Sequence, residues 1–350
     1  MPQIDEKELK KQLKEKQFAS LYFICGDEAY LKKFYAGRIA EKAVSDGMRD
    51  FNEKLFEGKN IDYDELSEAV EAFPMMSDRR CVTVKDLPID ELNQTDRDKL
   101  LSVISDIPPT TTVILWMDHI EVSPKKSAKW KKFLSEIDSF AQIVFLDKKG
   151  SSDLIKLVMS GAQKRGCTIT YENASYLISL VGDDMTNLLS ELEKLCAYRA
   201  DSVIEKSDIA AVAVKTVEAV VFDLTKAMMA RDAARAFNIL SDLLRQKTEP
   251  LMILGVIISS YVDMYRVKVV MMANGRPEDA AKYFNYKGKE FRLRNAARDG
   301  KDMSLRQMRR CLEILAQCDS DLKGSGLDSR ILLEKCITQL MLVPNTKDYD

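Results

Sequence analysis

The chain has 350 residues, of which 46% are hydrophobic and 31% charged, and its formal net charge is −2. This length gives room for two or three globular domains, and the apolar fraction excludes wholesale disorder. The charge balance excludes a globally basic nucleic-acid binder, so any contact with DNA must be local.

Membrane and disulfide classes are also excluded. The longest apolar run, residues 250–261, is shorter than the roughly 20 residues of a membrane span and predicts a buried helix. The first 16 residues are charged with helix-forming spacing, unlike a signal peptide, so we expect a cytoplasmic protein. Seven cysteines without a C-x-x-C pair indicate reduced core thiols rather than a disulfide framework or a zinc site.

The first strand leads into a turn that lacks the residues of a phosphate loop. Leu21–Cys25 predicts a short buried strand, and the helix after it is expected to begin near Glu28. A phosphate loop needs G-x-x-x-x-G-K-[ST], because backbone N–H groups, an ammonium and a hydroxyl must converge on the triphosphate. The corresponding positions hold Leu31–Lys33, and Asp27 and Glu28 add negative charge. The sequence therefore predicts the layout of a nucleotide-binding domain without its chemistry.

Strand and helix signals alternate through the first 150 residues, which predicts an α/β fold with a parallel sheet covered by helices on both faces. The predicted strands are Leu21–Cys25, Cys81–Val84, Thr112–Met117 and Gln142–Leu146. The predicted helices are Ala29–Ser45, Tyr63–Ala72, Thr95–Ser105 and Ser127–Ile137.

The loop before the second predicted strand carries bulky apolar residues. It reads Phe73-Pro74-Met75-Met76-Ser77-Asp78-Arg79-Arg80. Proline ends the preceding helix, so these side chains lie at a connection where exposure is common. Exposed apolar side chains would indicate a pocket on a partner. The alternative is that Met75 and Met76 plug the end of the sheet.

Polar candidates for catalysis are few. Asp118 follows a strand where a Mg²⁺-orienting carboxylate would stand in a phosphate-loop enzyme, but the next residue is His119, the only histidine. We expect a structural role for Asp118 and a loop position for His119. The sequence shows no catalytic pair, metal-ligand set or cofactor site, although an unorthodox phosphate site on Lys32 or Lys33 is one rival interpretation.

Basic segments are the candidates for DNA contact. They are Lys125-Lys126, Lys129–Lys132, Lys148-Lys149 and Lys164-Arg165, which we expect around the far strands of the first domain. Such runs are commonly solvated faces, but the interleaved Trp130 and Phe133 favour contact with DNA phosphate or another subunit. A standalone DNA-binding or adaptor protein is therefore the second rival interpretation.

After residue 150 the signals are helical. Up to about residue 214 they predict a small domain in which Gly182 ends one helix and Asp183 or Asp184 caps the next. Beyond it, an all-helical domain is predicted from helices at Ala219–Met229, Asp232–Gln246, Glu249–Ala273, Lys287–Arg298, Ser304–Leu322 and Ser329–Leu342.

Four segments in this order resemble one known family. They are residues 21–31, residues 73–84, residues 181–195 and the junction at residues 319–328. Together they are similar to the delta subunit of the bacterial DNA polymerase III clamp loader.

The resemblance implies a fold and a set of partners. The fold is a degenerate AAA+ ATPase-like domain (1–148), a helical lid domain (149–214) and a helical collar domain (215–350) that joins the gamma/tau ATPase subunits and the delta-prime subunit. Such a subunit binds no ATP and has no active site of its own, although it belongs to a DNA-directed DNA polymerase holoenzyme of the bacterial replisome. It would bind and open the beta sliding clamp for loading onto primer-template DNA.

The family also implies which residues bind the clamp. Its members insert a hydrophobic pair, at the end of the helix before the second strand, into a pocket of the clamp. By position this pair is Met75 and Met76, with Phe73 close by. The family often has leucine or phenylalanine where this chain has two methionines after a proline.

Overall fold

The computed structural model describes residues 3–200, 202–286 and 291–343. They belong to two compact units, one ending at Lys148 and one beginning at Lys149. Each unit has its own hydrophobic core.

The first unit alternates strands and helices. In chain order it contains β1 (Gln3–Ile4), α1 (Glu6–Glu15), β2 (Leu21–Cys25), α2 (Ala29–Ala43), α3 (Arg49–Asn52), β3 (Glu53–Glu57), a 3-10 turn (Gly58–Asn60), α4 (Tyr63–Glu71), β4 (Arg80–Lys85), α5 (Gln94–Ser105), β5 (Thr111–Trp116), α6 (Ala128–Ile137) and β6 (Ala141–Phe145). The strands and helices predicted here are confirmed to within two residues at each end. Strands β1 and β3 were not predicted, because β1 has two residues and β3 is rich in charge.

The strands form one sheet in the order β1-β6-β2-β5-β4-β3, and every neighbouring pair is parallel. Side chains of a strand alternate between the two faces. One face shares a core with α4, α5 and α6, in which Phe23 contacts Trp130 and Phe133. Helix α2 packs on β2, β4 and β5 from the other face. The predicted α/β fold is confirmed.

The second unit begins with a small bundle of helices and a two-stranded parallel ladder. Its elements are α7 (Ser151–Gln163), β7 (Thr168–Ile169), α8 (Tyr171–Val181), α9 (Met185–Tyr198), β8 (Val203–Ile204) and α10 (Lys206–Val212). Gly182 ends α8 with φ +84°, and the Asp184 carboxylate accepts a hydrogen bond from the Asn187 N–H at 2.8 Å. The predicted boundary is confirmed, and Asp184 rather than Asp183 is the cap.

The remaining elements are helical: α11 (Val217–Met229), α12 (Ala233–Arg245), α13 (Pro250–Met272), a 3-10 turn (Pro277–Lys282), α14 (Phe291–Asp299), α15 (Leu305–Gly324) and α16 (Ser329–Leu342). Residues 287–290 of the helix predicted from Lys287 lie outside the described residues. The expected border near residue 214 between a lid and a collar domain stays a prediction.

A buried carboxylate ties α13 to the segments around it. The Tyr286 hydroxyl donates a hydrogen bond to Asp263 Oδ1 at 2.5 Å, and an Arg292 guanidinium nitrogen lies 2.6 Å from Oδ2. Burial raises the pKa of Tyr286, and its hydrogen bond to Asp263 adds to the shift. Asp263 is 4% exposed, so this ion pair is a buried structural link.

All seven cysteines are free and buried, as their apolar surroundings in the sequence indicate. Burial raises the pKa of the Cys81 thiol to about 12. Within the described ranges, every helix falls short of the length and apolar character needed to cross a membrane.

Candidate protein-binding site

The connection from α4 to β4 presents three large apolar side chains to solvent. Residues 73–79, here named the methionine loop, follow the end of α4 at Glu71. Phe73 is 85% exposed, Met75 58% and Met76 86%. The three residues predicted as partner contacts therefore lie exposed together on one loop. The alternative that Met75 and Met76 plug the end of the sheet is wrong, because both side chains point into solvent.

A buried asparagine holds this loop. The Met75 N–H donates to Asn52 Oδ1 at 2.7 Å, and Asn52 Nδ2 donates to the Met75 carbonyl at 2.8 Å. The same Nδ2 donates to the Met48 carbonyl at 2.9 Å. Asn52 is fully buried, so its amide uses its donor and acceptor capacity on backbone partners. Its side chain fixes the backbone of Met75 to α3.

The next residue adopts an unusual backbone conformation. Met76 has φ +50°, in the left-handed region that residues with a side chain seldom occupy. Beyond it, Ser77 Oγ accepts a hydrogen bond from the Ser45 N–H at 3.0 Å and donates to the Arg79 carbonyl at 2.9 Å. Such strain, of order 1–3 kcal/mol, persists only where neighbouring contacts hold it. The hydrogen bonds on either side of Met76 supply that support.

The loop lies at the amino end of β4. Because β3 and β4 are parallel with Glu53 opposite Cys81, the start of β3 lies at the same edge of the sheet. Phe51, which is 61% exposed, precedes Asn52 there. Sequence reasoning missed both Phe51 and Asn52. The only local signal is an asparagine ahead of a charged segment, a pattern that is typical of ordinary loops.

Donors around the missing phosphate loop are engaged by the protein. The Glu28 N–H donates to the Leu146 carbonyl at 2.9 Å, and the Lys32 ammonium donates to the Asp118 carbonyl at 2.7 Å. Gly26 has φ +121°, and a Cβ there would lie 2.4 Å from the Leu146 oxygen. The turn is therefore closed against the end of β6, and Lys32 is buried rather than presented to a ligand.

Asp86, Asp118 and His119 bring three potential metal ligands within 4.8 Å of one another. Asp86 Oδ1 accepts backbone hydrogen bonds from Asp118 at 2.7 Å and His119 at 2.8 Å, and its Oδ2 lies 2.9 Å from His119 Nδ1. Burial alone would raise the pKa of Asp86, but these hydrogen bonds outweigh it and lower the pKa. The Lys85 ammonium lies 3.5 Å from Asp118 Oδ2. The arrangement fits an anchor for the loop after β5 better than a cation site.

The structure corrects two expectations about the basic segments. Trp130 and Phe133 are 1% and 0% exposed, because the apolar face of α6 turns both rings into the core, so neither can stack on a nucleic-acid base. Lys164 and Arg165 follow α7 and belong to the second unit, not to the strands of the first. Of the other lysines, Lys129 donates to the Asp90 carbonyl and Lys126 pairs with Glu121 at 3.1 Å.

Comparison with known families explains the combination of this sheet with a helical second unit. The family described as DNA polymerase III, delta subunit, matches residues 22–142, and the C-terminal domain of the same subunit matches residues 218–340. The two stretches together cover more than half of the chain. The chain belongs to the DNA polymerase III delta subunit family. The resemblance found in the sequence is confirmed.

Individual members of this family extend the match over almost the full length. The DNA polymerase III subunit delta of Bacillus subtilis (strain 168) is 26% identical over 340 residues, which is 95% of each chain. A probable DNA polymerase III subunit delta of Aquifex aeolicus (strain VF5) is 22% identical over 49% of each chain. The solved structure of the Bacillus subtilis DNA clamp loader delta protein, 24% identical, matches with a TM-score of 0.61 over 96% of this chain and 99% of that one. The likeness to this solved structure therefore extends over nearly the full length of the chain.

Proposed function

We propose that this chain binds the beta sliding clamp through the methionine loop and opens it for loading onto primer-template DNA. The observation that carries the proposal is the exposure of Phe73, Met75 and Met76 on a loop braced by Asn52. Exposed bulky side chains on a held backbone suit an apolar pocket on a partner, because the backbone loses little conformational entropy on binding.

Opening of the clamp would follow if the chain binds the open form of the ring more tightly than the closed form. Apolar anchors that fit a sprung form of the ring better than the closed form shift the clamp toward the open state without hydrolysis. The chain would act without nucleotide of its own, since the Glu28 N–H and the Lys32 ammonium are engaged by protein carbonyls. Helices from residue 215 onward would join the gamma/tau ATPase and delta-prime subunits, and those ATPases would control access to the methionine loop.

The test is equilibrium binding of the full chain to purified clamp, with and without ATP, followed by unloading of clamp from circular DNA. Binding independent of ATP together with unloading would support a clamp-opening subunit. Absence of clamp binding would contradict it. Salt-sensitive binding of DNA by the chain alone would favour the rival, a standalone DNA-binding or adaptor protein.

A further inference from the structure

Phe51 carries a large apolar side chain and is not among the partner contacts that were predicted from the sequence. Phe51 is 61% exposed, whereas the next residue, Asn52, is fully buried. Arg49, two positions earlier, pairs with Glu53 through a guanidinium nitrogen 2.9 Å from its carboxylate. This ion pair spans the short helix α3, which presents an aromatic side chain to solvent.

Two links connect the segment that contains Phe51 to the methionine loop. The Asn52 amide bonds to Met48 before α3 and to Met75 in the loop. Strand β3 starts directly after α3 and pairs with β4 from Glu53 opposite Cys81. Neighbouring strands lie about 4.8 Å apart. The residues just before β3 and those just before β4 thus lie side by side at one edge of the sheet.

We infer that Phe51 belongs to the same partner-binding surface as the methionine loop and contacts apolar surface of the clamp beside the pocket that takes Met75 and Met76. The inference rests on the proposed function and extends it to a residue outside the loop. Asp50 and the Arg49–Glu53 pair would form part of a polar border around this apolar centre, the arrangement found in specific protein interfaces.

The chain offers a matched control for Phe51. Leu55 is 60% exposed and lies in the middle of β3, opposite Thr83 of β4, rather than at the amino ends of these strands where the methionine loop lies. Both side chains are on the surface, so alanine at either position should leave the fold intact, which thermal unfolding of each variant checks. Phe51→Leu keeps an apolar side chain of smaller size and tests whether binding depends on the bulk of the side chain.

The experiment measures the Kd of the full chain for purified clamp. We expect Phe51→Ala to weaken binding about tenfold, a loss expected of an interface anchor. Phe51→Leu should weaken binding less. The Kd of Leu55→Ala should stay within about twofold of that of the unchanged chain, which is small compared with a tenfold loss.

The outcomes separate this inference from the proposed function. If Met75→Ala with Met76→Ala weakens binding but Phe51→Ala does not, the inference is overturned and the proposed function stands. If neither change alters the affinity, the methionine loop is not the anchor and both are overturned. Equal losses for Phe51→Ala and Leu55→Ala would also overturn the inference, because the effect would not be localised at the sheet edge.

Discussion

The side-chain amide of Asn52 pairs with the backbone of Met75 in both directions. The Met75 N–H donates to Oδ1 at 2.7 Å, and Nδ2 donates to the Met75 carbonyl at 2.8 Å. The pairing stands directly before Met76, whose φ is +50°. A buried residue 23 positions away in the sequence therefore holds the backbone beside both candidate anchors.

Replacing Asn52 tests this bracing. Asn52→Ala leaves the Met75 N–H and carbonyl without their partner, which should lower the free energy of unfolding by about 1–3 kcal/mol. Clamp affinity should also fall, although no apolar atom of the loop is removed. Urea unfolding and clamp binding of the variant measure both effects. Asn93→Ala, which removes the exposed cap of α5, is the control: it should cost about 1 kcal/mol of stability and no affinity. Unchanged affinity in Asn52→Ala would contradict the bracing role.

The methionine pair itself should carry binding free energy. Met75→Ala combined with Met76→Ala should weaken clamp binding by about 2–4 kcal/mol, because truncated interface anchors lose their contacts in the partner pocket. The stability should stay close to that of the unchanged chain, since both side chains are exposed.

A second exposed methionine pair provides the control for this change. Met271 and Met272 at the end of α13 are 46% and 65% exposed and lie in the second unit. Their double alanine variant should bind the clamp normally. An equal loss of affinity in both double variants would show that the methionine loop has no special part in clamp binding.

Mg²⁺-ATP should not stabilise the isolated chain. A ligand that binds the folded state at 100 times its Kd raises stability by about 2.7 kcal/mol, which a thermal unfolding curve detects. We expect no shift at millimolar nucleotide, because the Lys32 ammonium and the Glu28 N–H already have carbonyl partners. A rise in Tm that grows with ATP concentration and disappears in Lys32→Met would instead revive the rival phosphate site.

Asp86 should make the stability of the first unit depend on pH. The pKa of Asp86 is lowered in the folded chain, so its carboxylate stabilises the fold at pH values above the ordinary pKa of about 4. This contribution is lost as the pH falls through the lowered pKa. Asp86→Asn should therefore be less stable than the unchanged chain at pH 7, and the difference in unfolding free energy should shrink toward pH 3. A difference that stays constant over this range would show that the charge of Asp86 is not what stabilises the loop.

Removing the buried carboxylate of Asp263 should strongly destabilise the second unit. Asp263→Ala leaves the Arg292 guanidinium without its carboxylate and the Tyr286 hydroxyl without its acceptor. Removing one partner of a buried ion pair costs about 3–5 kcal/mol. Chemical denaturation followed by circular dichroism measures this loss, and Asp242→Ala, which breaks an exposed pair with Arg245 in α12, should cost less than about 1 kcal/mol. Similar losses in the two variants would contradict the structural role of Asp263.

Local signals in the sequence were sufficient for much of the fold. The apolar run Leu21–Cys25, the glycine at 182 and Pro74 each act on their own neighbours, so the strand and the ends of the two helices could be predicted without tertiary information. The absence of phosphate-loop residues after β2 is likewise a property of one short segment. The family resemblance rests on these same segments.

Other features depended on which surfaces meet. Trp130 and Phe133 look like surface aromatics among lysines, and only the packing of α6 on the sheet shows that they are core residues. Strand β3 is too charged to be predicted, and it forms because β4 supplies its hydrogen-bond partner.

The sequence by itself determined the fold class and the family, because those follow from the chemistry of adjacent residues, whereas the exposure of Met75 and Met76 was decided by the structure. Only the tertiary structure decided that Asn52 holds Met75, that Phe51 lies beside the loop and that the Lys32 ammonium donates to a backbone carbonyl. The physical reason is that each of these contacts joins residues distant in sequence, and it exists only once strand register and helix packing have brought the two segments together.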